Sequence, residues 1–138
     1  MRRRERERFD ELFETVLAAM PARVHELLDE CPVVLEDRPS LRLREELGIN
    51  DDDEVLCGLH SGIALPEKSL EHGEASDVVH LFREGIVDTA GGWEEDEDES
   101  GPFGGEARIC EEIRITLLHE LGHHFGLNEE DLARLGYG

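Results

Sequence analysis

Apolar residues recur at steps of three and four through the first thirty positions of the chain, with polar residues between them. This spacing places them on one face of an α-helix. Pro21 interrupts the stripe, and it bends or divides a helix because it lacks an amide hydrogen and clashes with the preceding turn. The pattern predicts one long amphipathic N-terminal helix with a break at Pro21. Its apolar face consists of Phe9, Leu12, Phe13, Val16, Leu17, Met20, Val24, Leu27 and Leu28.

Three short stretches rich in β-branched and other apolar residues follow, each bounded by proline, glycine or charged residues. They are Cys31–Glu36, Val55–His60 and Asp77–Arg83. Such runs are typical of β-strands. The pair Ile86 and Val87 is predicted to extend the third strand beyond Gly85. The sequence therefore predicts a small mixed sheet of three to four strands, with a helical turn from Leu41 to Leu47 between the first two.

A second helical stretch begins at Glu106, and its apolar positions Ile109, Ile113, Leu117 and Leu121 are predicted to face the core. It continues to Phe125, where a glycine suits the left-handed conformation that ends a helix. Asn128 then begins a short C-terminal helix, as a good N-cap. A chain of 138 residues has room for one domain. These elements predict a single α+β domain over residues 1–138.

Residues 91–105 differ from the rest of the chain in composition. Six consecutive acidic residues, 94–99, lie between glycine-rich flanks. Like charges and glycines disfavour a packed structure, so we expect a mobile loop just ahead of the second helical stretch. Two roles remain open for this loop: a merely solvated connection, or an element that covers a cleft or selects basic peptides.

The overall charge excludes several classes of partner. The formal net charge is -21, from 35 acidic and 14 basic residues. Such a surface repels nucleic acids and anionic membranes. No stretch approaches the roughly 18 apolar residues of a membrane span, and no apolar segment follows the basic N-terminus, so we expect a cytoplasmic protein. Three cysteines without a CxxC spacing suggest neither a disulfide framework nor a thiolate metal site.

The second helical stretch carries the pattern His-Glu-x-x-His. His119 and His123 are four residues apart, so on a helix they lie on one face and can bind a single metal ion. Glu120 lies about 100° further round the helix, where it reaches a water molecule beside the metal without binding the metal itself. Zinc accepts imidazole nitrogens, and a catalytic zinc usually has three protein ligands.

The candidates for the third metal ligand can be reduced by elimination. After His123 the possible metal ligands are His124, whose ring points about 100° away from the shared face, and the acidic residues Glu129, Glu130 and Asp131. Glu129 lies three residues after Gly126, where the extended motif His-Glu-x-x-His-x-x-Gly-x-x-His places its last ligand. Asp131 has an alternative role at the third position of the C-terminal helix, as a capping residue. We therefore predict that His119, His123 and Glu129 bind the metal.

The segment from Leu118 to Leu127, followed by an acidic residue and by Leu135-Gly136-Tyr137, resembles the minimal-zincin family of small bacterial predicted zinc metallopeptidases. The resemblance extends to residues 56–62 and 78–82, and it departs from the family pattern at Glu129, where an aspartate is usual. It implies a zincin-like fold and a Zn²⁺ cofactor.

The chemistry expected of such a site is metal-assisted hydrolysis of a peptide bond, with Glu120 as the general base. The resemblance implies a peptide or protein substrate in extended conformation, added as a strand to a sheet edge. Residues 78–83 are one candidate for that edge strand, and an ordinary inner strand is the alternative. Tyr137 either stabilises the oxyanion or only packs. The small size predicts weak or narrowly selective activity. The rival hypothesis is a non-enzymatic metal-binding interaction module with an acidic surface, although metal binding alone does not require Glu120.

Overall fold

The computed structural model describes residues 1–48, 56–61, 78–126 and 129–134, with the backbone alone for residues 46, 47, 60, 61, 124, 129 and 132. Its helices are α1 (Arg3–Ala18), α2 (Ala22–Glu30), α3 (Leu41–Leu47), α4 (Arg83–Ala90), α5 (Glu106–Phe125) and α6 (Glu129–Arg134). Its strands are β1 (Val33–Glu36), β2 (Gly58–Ser61), β3 (Val78–Phe82), β4 (Asp96–Asp98) and β5 (Gly101–Phe103). The predicted α+β class is confirmed.

Proline divides the N-terminal stripe into two helices, α1 and α2. Pro21 has an extended conformation, with φ -59° and ψ 153°, and directly precedes the first residue of α2. Both helices bury the predicted apolar face in the common core. The residues of that face that are buried are Phe9, Phe13, Val16, Met20, Val24 and Leu27.

The main sheet has the order β1-β3-β2. Strand β1 is parallel to β3, whereas β2 is antiparallel to it, with Gly58 opposite Leu81 and His60 opposite Val79. The strand predicted at Asp77–Arg83 is thus confirmed, but its role as an edge strand is wrong because β3 has a partner on each side. Among the described residues, the edge strand antiparallel to β3 is β2.

The prediction that Ile86 and Val87 extend the third strand is also wrong. These residues lie in α4, which begins directly after β3 and ends at Gly91 in the left-handed conformation, with φ 103°. Helical spacing brings Ile86, Val87 and Ala90 together on the buried side. Two adjacent β-branched residues suited either a strand or a buried helix, and packing against the core decides between them.

Helix α5 is the central element of the core. It lies against β2 and β3 of the sheet and against α1 and α4. The residues predicted to face the core, Ile109, Ile113, Leu117 and Leu121, are all completely buried, as is Leu118. The apolar pattern of this helix therefore predicted its orientation correctly.

The acidic segment contains a two-stranded antiparallel hairpin, with Asp96 of β4 opposite Phe103 of β5. The predicted loop therefore contains two short strands, and its mobility stays a prediction. Two backbone hydrogen bonds close the base: the Gly104 amide donates to the Ala90 carbonyl at 2.8 Å, and the Gly105 amide donates to the Gly92 carbonyl at 3.0 Å. The acidic side chains 94–99 are all exposed, so no apolar alternation marks these strands in the sequence.

A group of charged side chains ties α1 to the ends of β1 and β3. Arg83 donates two hydrogen bonds to the carboxylate of Asp10, at 2.9 and 3.1 Å, and one to Asp37 at 3.2 Å. Arg6 reaches the other oxygen of Asp37 at 2.7 Å. Burial alone would raise the pKa of Asp37, but Arg6, the N-terminal amine and Arg83 outweigh it and lower that pKa below 3.8.

None of the helices in the described part of the chain combines the length and the apolar character needed to cross a membrane.

Candidate active site

The two histidines of the His-Glu-x-x-His pattern lie side by side on the exposed face of α5. The centroids of the His119 and His123 rings are 4.5 Å apart, with the ring planes at 64°. Both side chains are exposed, His123 by 59%. Two accessible imidazoles one helical turn apart fit the nitrogen donor set of zinc. This part of the predicted metal site is formed by a single helix.

Glu120 lies beside this pair but is far less exposed. Its carboxylate oxygen Oε2 is 3.8 Å from Nδ1 of His123, and only 13% of its side chain is accessible. At that distance the two groups form an ion pair when the ring is protonated and are not hydrogen-bonded. The carboxylate is therefore adjacent to the histidine face but much less accessible than the two rings.

Helix α5 ends two residues after the second histidine. Gly126 ends α5 in the left-handed conformation, with φ 65° and ψ 29°, and its amide group points to the carbonyls of Gly122 and His123. Helix α6 begins three residues later, and its backbone lies near α5. The predicted helix end at Gly126 in the left-handed conformation is confirmed, whereas the reversal of the chain beyond it stays a prediction.

The assignment of the third ligand stays a prediction. Glu129 is the first residue of α6, and its side chain lies outside the described atoms. The side chain of Asp131 is 3.6 Å from Arg134 within the same helix. In the parts of the chain that the structure describes, no three His, Cys, Asp or Glu side chains converge on a metal position. Asn128 and Tyr137 also lie outside the described residues.

The first residue of β2 packs directly on the glutamate. A Cβ atom built on Gly58 would lie 3.2 Å from Cγ of Glu120 and 2.6 Å from Cγ2 of Thr116. Thr116 is one turn before Glu120 on α5 and is buried. This contact was not predicted from the sequence, although a glycine inside a strand is a recognised sign that another element approaches closely.

Two half-buried ionisable groups near this contact favour their neutral forms. Burial raises the pKa of the Cys57 thiol, and a hydrogen bond with Thr89 lowers it in part. The nearby carboxylates of Glu112, Asp88 and Glu120 raise this pKa further. Burial and the neighbouring Glu111 likewise raise the pKa of Glu112. A thiol held in its protonated form is a poor metal ligand. Cys57, like the other two cysteines, is free of disulfide bonding.

The acidic hairpin lies at the other end of α5. Its residues Glu95 to Glu97 share a cavity with Arg108, in the first turn of the helix. Thirteen residues separate Glu106 from His119, which corresponds to about 20 Å along the helix axis. Each hairpin strand has three residues and extends about 10 Å. The hairpin therefore does not cover the histidine face, and of the two roles considered the solvated connection fits better.

The chain matches a known protein family over most of its length. The model of a family described as "Zincin-like metallopeptidase" matches residues 28–138, which include all the described strands and the complete α5. No curated protein matches the chain. The matched range contains the histidine pair, Glu120, Gly58 and the predicted ligand Glu129.

Proposed function

The chain belongs to the family of zincin-like metallopeptidases, and from that premise we propose that it hydrolyses peptide bonds with Glu120 as the general base. Membership confirms the resemblance to the minimal zincins and indicates zinc-dependent proteolysis of peptide or protein substrates. The observation that carries the proposal is the arrangement on α5: two exposed imidazoles 4.5 Å apart, with a half-enclosed carboxylate next to the second one.

In this proposal His119, His123 and Glu129 hold Zn²⁺. When bound, zinc supplies Lewis-acid activation of water and of the scissile carbonyl. The Glu120 carboxylate accepts a proton from the attacking water and later transfers it to the leaving amine. Its limited exposure favours this role, because surrounding protein excludes competing water while the side chain still borders the histidine face.

Strand β2 is the best candidate for holding the substrate. One side of β2 pairs with β3, and among the described strands none occupies its other side. An extended peptide added there would run next to Gly58, and so next to Glu120 on α5. This assignment replaces β3, which is interior to the sheet, and it favours recognition of the substrate backbone.

Metal titration and mutation of the base test the proposal together. We expect the wild-type protein to bind about one equivalent of zinc by calorimetry, and the double variant His119→Ala/His123→Ala to bind none of comparable affinity. Glu120→Gln should keep zinc binding but lose roughly 10²–10⁴ of the hydrolysis rate on a responsive peptide, because the isosteric amide is not a base. Zinc affinity equal in wild type and double variant, or full activity of Glu120→Gln, would contradict the proposal.

A further inference from the structure

The residues that lead into β2 run through a narrow passage between α4 and α5. On the α4 side, a Cβ atom built on Gly85 would lie only 2.1 Å from the carbonyl oxygen of Leu56. On the sheet side, the Phe82 amide donates to the Cys57 carbonyl at 2.8 Å. The Cys57 thiol is 3.1 Å from the hydroxyl of Thr89 on α4. The backbone of residues 56–58 is therefore held firmly from two directions.

Gly58 meets α5 on the third side of this passage. Its φ is outside the left-handed region, so the backbone conformation itself does not call for glycine. The reason for glycine is space: a methyl group would lie 2.6 Å from Cγ2 of Thr116, 3.1 Å from the His80 carbonyl oxygen and 3.2 Å from Cγ of Glu120. Ordinary van der Waals contacts of such a group begin near 3.4 Å.

The contact with Glu120 bears on catalysis because Cγ determines where the carboxylate lies. A glutamate on a helix surface has three rotatable bonds and samples several rotamers. Here the backbone of Gly58 limits Cγ on one side, and the carboxylate is left 3.8 Å from His123. We propose that Gly58 is a positioning residue: the missing side chain lets β2 approach α5 closely enough to hold Glu120 in its working position. The inference rests on the proposed function for the role of Glu120.

The test compares variants in the background Thr116→Ser, which removes the Cγ2 atom responsible for the tightest contact. Gly58→Ala alone is expected to unfold more easily, so it does not separate stability from positioning. In Gly58→Ala/Thr116→Ser the new methyl group no longer clashes with residue 116, and Glu120 is the side chain that it still contacts. Thr116→Ser alone is the matched control.

We expect the double variant to have a melting temperature and a zinc Kd close to those of the control, with KM for a responsive peptide unchanged within about threefold. Its kcat should fall roughly 3- to 10-fold, because a displacement of about 1 Å of a catalytic group costs on the order of 10²-fold and a contact of 3.2 Å displaces Glu120 by a few tenths of an ångström. A kcat within twofold of the control, or a parallel loss of zinc affinity, would show that Gly58 has only a structural role.

Crystal structures of the metal-free control and double variant provide a readout that needs no activity. We expect the Glu120 carboxylate to shift away from its 3.8 Å separation from His123 in the double variant. An unmoved carboxylate overturns the inference. If the wild-type protein cleaves no peptide, the proposed hydrolysis fails while these structures still decide the positioning. Should the double variant not fold, Gly58→Ala/Thr116→Ala against Thr116→Ala gives the same comparison with more space.

Discussion

Replacing Arg83 by methionine should destabilise the protein more than the loss of any other described ion pair, although Arg83 is far from the histidines in sequence. Arg83 is the first residue of α4, and its side chain is only 12% exposed. It is bound by Asp10 of α1 and by Asp37 after β1, through three hydrogen bonds of 2.9 to 3.2 Å. Methionine keeps much of the apolar stem and removes the charge.

The size of this loss of stability depends on the two carboxylates that the substitution leaves without Arg83. Removing one partner of a fully buried ion pair costs about 3–5 kcal/mol, because the other charge is left without compensation. Asp10 is 44% exposed and regains water, while Asp37 is 20% exposed and keeps Arg6. We therefore expect a loss of about 2–3 kcal/mol for Arg83→Met, below the range for full burial.

Urea unfolding measures this loss, and Arg38→Met is the matched control. Arg38 also makes two hydrogen bonds to one carboxylate, that of Glu84, at 3.1 and 3.3 Å. Its side chain is 65% exposed, so its removal should cost no more than about 1 kcal/mol. With an m value of about 2 kcal/mol/M, the Arg83 variant should unfold about 1–1.5 M lower in urea.

The pH dependence gives the same prediction an independent check. The folded pKa of Asp37 is below 3.8, so its ion pairs stabilise the protein above that pH and are lost as the pH falls through the folded value. The difference between wild type and Arg83→Met should be constant above about pH 5 and shrink in more acidic solution. Equal urea midpoints for the Arg83 and Arg38 variants, or a difference independent of pH down to 3, would refute the reasoning.

Three further predictions concern the site and its surroundings. Glu129→Ala should weaken zinc binding strongly in a calorimetric titration. Asp131→Ala should keep the metal and lower the stability by only about 0.5–2 kcal/mol. The reverse result would make Asp131 the ligand. Gly126→Ala should lower the free energy of unfolding by about 1–2 kcal/mol, since a φ of 65° is unfavourable for alanine. It should also lower zinc affinity, because α6 would leave α5 in a different direction. An unchanged melting curve would contradict this prediction. Deleting residues 94–100 should change stability by less than about 1 kcal/mol and leave zinc affinity intact, because the exposed segment lies near the far end of α5; loss of the folded state would contradict it.

Local patterns in the sequence predicted the helix that carries the site. The position of His119 and His123 on α5, the buried residues opposite them and the stop at Gly126 all depend on spacing within one helix. Such spacing is readable because neighbours three and four residues apart share a face. For the same reason the division of the N-terminal stripe at Pro21 was predictable.

Contacts between distant parts of the chain were not predictable in this way. Alternation shows which face of β3 is buried, but it does not show that β1 and β2 pair on its two sides. The contact of Gly58 with Glu120 joins residues 62 positions apart, and a glycine in a strand signals close approach without naming the partner. Strand β4 consists of three exposed acidic residues and β5 of only three residues, so neither has an alternating apolar pattern to detect.

Helix α5 contributes five fully buried side chains to the core, and the same helix presents the two histidines. Opening this turn of the helix to solvent requires disruption of the core, so we expect its amide hydrogens to exchange only through global unfolding. The geometry of the histidine face is therefore as stable as the core itself, because both depend on the same helix.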